Sequence, residues 1–162
     1  MDEAAAAQLA DVLIDCVDGG ASVSFMHPLA QTKARAFWQA LAADIAAGAK
    51  VLFVAEDAAG IVGTVQLVLN LPENQPHRGD ISKMLVHRRG RRRGIGAALM
   101  RAAEECAQSL GRTLLVLDTV PGSAAARLYE RLGWTYVGTI PDFALWPNGG
   151  LTPTNFYYRK LA

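Results

Sequence analysis

The residues best suited to chemistry lie in one stretch, Met84-Leu85-Val86-His87-Arg88-Arg89-Gly90-Arg91-Arg92-Arg93-Gly94-Ile95-Gly96-Ala97. Five arginines (Arg88, Arg89, Arg91, Arg92 and Arg93) fall within six consecutive positions, with glycines among and just after them. The apolar run before them reads as a strand ending at Val86. The pattern after them reads as a helix starting near Gly94. A helix N-terminus leaves amide N–H groups without partners and carries a partial positive charge, so it attracts phosphate. Glycine lets the backbone approach an anion closely, and the forked donors of arginine match phosphate oxygens. A ligand bearing a diphosphate is the chemistry this pattern suits. Neither Lys nor Ser/Thr follows Gly94, which excludes the phosphate-loop motif, and Gly94-Ile95-Gly96 is only a fragment of the dinucleotide fingerprint. Two other readings stay open on these residues alone: a solvated arginine face beside a glycine turn, and a nucleic-acid patch. Nucleic-acid readers usually interleave aromatics with their cations, and here the aromatics lie elsewhere.

A second candidate is Asp118. It interrupts the apolar strand Thr113-Leu114-Leu115-Val116-Leu117-Asp118-Thr119 near its C-terminal end, where ligands collect in open α/β sheets. The alternative is a turn or cap acceptor for the helix that starts at Gly122-Ser123.

Hydrophobic periodicity supplies the elements that must position these groups. Helices are predicted over 4–17, 31–47, 95–110 and 123–132, and strands over 50–56, 61–69, 80–86, 113–119, 134–140 and 154–160. In the third helix Ile95, Leu99, Ala102, Cys106 and Leu110 line one face. Residues 57–60 have hairpin-turn chemistry. In the strand over 80–86, alternation puts Asp80 on the same side as Met84 and Val86. The order α-α-β-β-β-α-β-α-β-β implies an α/β protein with a mixed sheet, a central βαβ crossover and helices on its faces.

Bulk properties narrow the function classes. The chain has 162 residues, which suits one domain over 1–162. Hydrophobic residues make up 51% and charged residues 19%, which excludes a disordered chain. The formal net charge is +1, so the whole surface is not built for nucleic acid or anionic membrane. Cys16 and Cys106 form neither a disulfide framework nor a zinc spacing, so no metal is expected and a reducing, cytoplasmic setting fits. The acidic start Met1-Asp2-Glu3 is unlike a secretory signal. No apolar run approaches the ~20 residues that span a bilayer.

Arg91-Arg92-Arg93-Gly94-Ile95-Gly96 resembles the (Arg/Gln)-x-x-Gly-x-(Gly/Ala) signature of the GNAT superfamily of acetyl-CoA-dependent N-acetyltransferases. Leu128-Tyr129-Glu130-Arg131-Leu132-Gly133-Trp134 is similar to that family's Leu-Tyr-x-x-x-Gly-Phe segment. Gly19 to Val23, Leu117-Asp118-Thr119, Gly122-Ser123 and the segment from Val137 to Leu161 resemble the tabtoxin-resistance branch of small-molecule acetyltransferases. The resemblance implies a GNAT-type fold with a mostly antiparallel sheet. It also implies acetyl-CoA as cosubstrate, with its pantetheine arm on the strand backbone at Met84, Leu85 and Val86. The pyrophosphate would sit on the turn carrying Arg91, Arg92, Arg93, Gly94 and Gly96, with Ala97 opening the helix. Tyr129 would be the general acid toward the leaving thiolate. Asp80 and Asp118 are the candidates for the base that takes the amine proton, or for binding an ammonium group.

The chain departs from the family pattern at three places. Gly122 stands where an asparagine often binds the pantetheine, so Ser123 would take that contact. Arg88 stands where a proline is common. No strand pattern precedes the first helix, which implies a shortened sheet or a truncated start. Phe25, Met26, Phe143 and Trp146 are candidates for the acceptor wall. The acceptor expected is a small-molecule primary amine, amino-acid-like or antibiotic-like; a protein or peptide amine is the alternative. No nucleic acid or membrane partner is expected, and self-association is an open expectation because dimers are frequent in the family.

Overall fold

The computed structural model describes residues 1–161. Two helices, α1 (Glu3–Asp18) and α2 (Gln31–Ala46), precede the antiparallel pair β1 (Lys50–Asp57) and β2 (Gly60–Val68). Then come β3 (Arg78–Val86), a short 3-10 turn Arg88–Gly90, α3 (Ile95–Ser109), β4 (Leu114–Thr119), α4 (Ala124–Arg131), β5 (Thr135–Leu145) and β6 (Leu151–Lys160). The six strands form one sheet in the order β1-β2-β3-β4-β6-β5, antiparallel except for the β3–β4 pair. That parallel pair, with α3 between its strands, is the expected crossover.

Side-chain alternation along the strands divides the core in two. Leu9, Val12, Leu13 and Val17 of α1 and Ala34, Trp38 and Leu41 of α2 pack with Ile61 and Leu85 on one face of the sheet. On the other face, Leu99, Met100, Ala103 and Ala107 of α3 pack with Ala126 and Tyr129 of α4 and with Val65, Leu67, Ile81, Leu115, Leu117 and Tyr157. No strand precedes α1 among the described residues.

Two local expectations are corrected. The buried arc of α3 runs through Leu99, Met100, Ala103 and Ala107, while Leu110 is exposed. Ile95 and Cys106 also pack against this core, opposite the polar face of Arg101, Glu105 and Gln108, so the expected face is displaced by only part of a turn and fails at Leu110, beyond the last helical residue. The last hairpin is also longer than expected, because β5 continues through Pro141 to Leu145. As the outermost strand it tolerates a proline, and the ladder accommodates the residues around Asp142 by a register shift between Ile140 and Ala144. Phe143 therefore lies in a strand and not in a loop.

Candidate functional site

The parallel contact between β3 and β4 is short. It covers Arg78↔Leu114, Gly79↔Leu115 and Asp80↔Val116, and then stops. From Ile81 to Val86, β3 is paired on its β2 side alone, so its other backbone edge faces an open wedge beside β4. Met84 and Leu85 lie on this edge. The Val86 carbonyl is already engaged, by Arg91 Nε at 3.2 Å and by the Cys16 thiol at 3.7 Å.

A bulge changes which residues share a face. Gln66 pairs with Ser82, but Thr64 pairs with Leu85, so β3 carries one more residue than β2 across this interval. Lys83 takes it up with φ at +49°. Asp80, Ser82 and Leu85 therefore face α1 and α2, while Ile81 packs toward α3 and α4. Met84 and Val86 also lie on the α3 side, within 4 Å of where a Cβ on Gly96 would stand. The expectation that Asp80 shares a face with Met84 and Val86 is wrong, because strict alternation does not survive an inserted residue.

The arginine turn leads into a helix N-terminus with no side-chain cap. Gly94 adopts φ +78°, a conformation that costs glycine little, and the first hydrogen bond of the helix ladder runs from Ala98 N–H to the Gly94 carbonyl at 3.0 Å. The amides of Ile95, Gly96 and Ala97 thus remain available to an anion. A Cβ on Gly96 would come 2.9 Å from the Leu128 side chain, which explains a hydrogen at that position.

The arginines themselves are mostly engaged. Asp15 of α1, 7% exposed, accepts the Arg88 N–H at 2.8 Å and the Arg88 guanidinium, and lies 3.6 Å from Arg91 Nη2 and 3.7 Å from His87 Nε2. Asp57, at the β1–β2 turn, pairs with Arg89 at 3.4 Å and Arg93 at 3.5 Å. The Ala59 amide holds the Asp57 carboxyl below its usual pKa, and the two arginines add to that effect. Among the described residues, Arg92 alone of the five makes no ion pair; its φ is +59°. Two internal carboxylates thus offset much of the cationic knot.

Asp80 and Asp118 come together on the α1–α2 face, since Asp80 pairs with Val116 and Asp118 lies two residues further along β4. Arg78 Nη1 donates to Asp80 at 2.5 Å. Burial pushes the Asp80 carboxyl above its usual pKa; Arg78 opposes the rise and Asp118 adds to it. Asp118 accepts a hydrogen bond from Thr154 Oγ1 at 2.8 Å. It does not cap α4. That role belongs to Ser123, whose Oγ accepts the Ala126 N–H at 3.0 Å and lies 3.3 Å from Thr119 Oγ1. Tyr129 is 4% exposed, with its ring 6.0 Å from Trp134 and 6.2 Å from Tyr157. Burial, and then the charge of Asp118, push its phenol well above the usual tyrosine pKa, so it stays protonated at neutral pH.

The aromatic candidates flank this face. Phe25 meets Phe37 edge-on at 5.2 Å, and Phe143 meets Phe156 at 5.9 Å. Met26 and Trp146 are exposed. The α1–α2 loop is fastened to the β5–β6 hairpin by Ser22 Oγ donating to Leu145 O (2.8 Å) and His27 N–H donating to Pro147 O (2.9 Å).

Sequence reasoning missed Asp15, Asp57 and Lys83. Asp15 lies 73 positions from Arg88 and reads as a polar residue on an amphipathic helix. No local signal identifies it. Lys83 had one available signal, a cation at an apolar position of a strand. Among the described residues, no cluster of three His, Cys, Asp or Glu side chains is arranged to hold a metal ion.

A family model described as an acetyltransferase (GNAT) domain matches residues 48–136. A ribosomal-protein-alanine N-acetyltransferase from Brucella melitensis superposes with a TM-score of 0.81 at 22% identity, covering 99% of this chain and 97% of that one. A phosphinothricin acetyltransferase from Sinorhizobium meliloti, solved in complex with acetyl-CoA, superposes with a TM-score of 0.80 at 18% identity, covering 100% and 86%. An N-acetyltransferase from Staphylococcus aureus Mu50 gives a TM-score of 0.82 at 16% identity, covering 100% and 96%.

Proposed function

The chain belongs to the GNAT acetyltransferase family, and from that premise we propose that it transfers the acetyl group of acetyl-CoA to the primary amine of a small molecule, by direct attack in a ternary complex. The reading treats the whole chain as one N-acetyltransferase domain working in the cytoplasm. No helix among the described residues is long and apolar enough to cross a membrane.

The observation that carries the proposal is the wedge between β3 and β4, with an uncapped helix N-terminus on one side and two carboxylates on the other. The free edge of β3 at Met84 and Leu85 suits the amide-bearing arm of the cosubstrate. The amides of Ile95, Gly96 and Ala97 suit its pyrophosphate. Arg92 is free to meet a phosphate, whereas Arg91 and Arg93 would have to share themselves with Asp15 and Asp57. Ser123 already accepts the Ala126 N–H as the helix cap and shares a hydrogen bond with Thr119 Oγ1, so a contact to the cosubstrate would compete with these two partners.

Bound acetyl-CoA supplies a thioester carbonyl for the amine to attack. A C–N bond forms and the C–S bond breaks. Asp80 or Asp118 takes the amine proton, directly or through water, and Tyr129 gives a proton to the departing sulfur. A phenol held above its usual pKa is a proton donor at neutral pH, and a carboxyl raised by burial is a better base than an exposed one. A small acceptor is the reading favoured by the fastening of the α1–α2 loop to the β5–β6 hairpin, through Ser22 to Leu145 and His27 to Pro147.

Calorimetry with acetyl-CoA, followed by a thiol-release screen of small amines against peptides, tests this. Saturable micromolar binding and turnover of small amines are expected. No binding would overturn the acetyl-transfer reading, and turnover of peptides alone would overturn the choice of acceptor.

A further inference from the structure

Lys83 is a cation without an anion. It is half-buried on the acceptor face, yet no carboxylate of the described residues lies within ion-pair distance of its ammonium. Its contacts are neutral: Ser24 Oγ at 3.1 Å and the face of the Phe37 ring at 5.8 Å. Burial pushes its pKa below the usual lysine value; Asp118 opposes that shift without coming close enough to pair.

The backbone is arranged to present this side chain. Lys83 is the inserted residue of the β3 bulge, at φ +49°, and its partner Ser24 stands at φ +76°. Two non-glycine residues in the left-handed region, joined by a hydrogen bond, are a costly local arrangement of the kind that collects at functional sites. A second donor lacks an acceptor nearby. Gln66, paired across the ladder with Ser82, is 2% exposed, and its Nε2 has no hydrogen-bond partner. Buried cations and donors of this sort are normally matched.

From this geometry we infer that Lys83 anchors an anionic group of the acceptor, so the substrate is an amine that also carries a carboxylate or an isosteric oxyanion. The inference rests on the small-molecule reading above and sharpens it. On one face of the sheet, Asp80 and Asp118 suit the ammonium end of such a molecule and Lys83 the carboxylate end. Phe25, Phe37, Phe143 and Phe156 offer apolar surface between and around them.

The experiment compares leucine, methionine and phenylalanine with their carboxamides by thiol release, alongside an acetylatable peptide. Rates are expressed per neutral amine, because amidation lowers the amine pKa. Lys83→Asn removes the charge while tolerating the left-handed backbone, and Lys83→Arg keeps the charge. Acetyl-CoA binding by calorimetry checks that each variant is folded. The wild type is expected to favour each acid over its amide by about tenfold to a hundredfold in kcat/KM, the worth of a charge-assisted hydrogen bond. Lys83→Asn should erase that preference and Lys83→Arg should keep part of it. Equal rates for acid and amide in the wild type, a preference surviving in Lys83→Asn, or turnover of neither series would each overturn the anchor. Turnover of the peptide alone would overturn the small-molecule reading as well, so the two failures are distinguishable.

Discussion

Replacing Tyr129 by Phe removes one oxygen from a ring whose packing is otherwise preserved. The contacts to Trp134 and Tyr157 belong to the ring, and no hydrogen bond among the described residues uses the hydroxyl. Stability should therefore change by less than about 1 kcal/mol, since no partner is left unsatisfied, and Tm should move by no more than about 4 °C. The effect on rate is different in kind. Losing a positioned general acid costs about 10²- to 10⁴-fold, equivalent to roughly 2.7–5.4 kcal/mol of barrier. The assay is thiol release at saturating acetyl-CoA and amine, with calorimetric affinity for acetyl-CoA as the control. A large fall in kcat with unchanged affinity and unchanged Tm is expected. A kcat within about threefold of wild type, well under the general-acid range, would refute the assignment and leave Tyr129 as a core aromatic. Alkaline unfolding gives an independent check. The folded-state pKa is raised, so the stability this group contributes is complete below about pH 10, where the unfolded tyrosine is still protonated, and is lost as pH climbs above that value. Tyr129→Phe should therefore resist alkali better than wild type in an unfolding titration.

Three further outcomes are expected. Asp80→Asn should flatten the acid limb of the pH–rate profile, which in wild type should lie above the usual carboxylate range because burial raises that carboxyl; an unchanged limb would transfer the base role to Asp118, and Asp118→Asn would then be the variant that loses it. Asp15→Asn should cost about 1.5–3 kcal/mol, the range for hydrogen bonds to a charged group; thermal melting would read this, together with a raised KM for acetyl-CoA and a kcat changed little. Arg92→Ala should raise the KM for acetyl-CoA severalfold and reduce its dependence on salt, as expected for an exposed cation facing a phosphate; the melting curve should not move, because Arg92 holds no ion pair in the fold.

The sequence made legible whatever is local. The turn glycines announce the helix start, the apolar strand around Asp118 announces a central position, and the order of elements announces the crossover. The Arg-x-x-Gly-x-Gly signature works because the conformation at Gly94 and the close approach at Gly96 are demands on single residues. Properties of pairing were hidden. The face on which Asp80 stands depends on a bulge that is visible only once Gln66 is matched with Ser82 and Thr64 with Leu85. The pairing of four arginines depends on Asp15 and Asp57, which are distant in sequence and unremarkable in their own segments. The extension of β5 was masked by Pro141, which a central strand would reject and an edge strand accepts.

The inserted residue in β3 makes facing a matter of counting. Upstream of it the strand addresses the acceptor through its even positions, Asp80 and Ser82; downstream, the even positions Met84 and Val86 belong to the opposite compartment. A chain of the same length that paired this segment without the bulge would keep the same composition, the same glycine signature and the same order of elements. It would nevertheless present the Asp80 carboxylate to the helices beneath the cofactor turn. Register is thus a functional variable in its own right, and two proteins that agree at every motif can differ in whether the acid meets the amine.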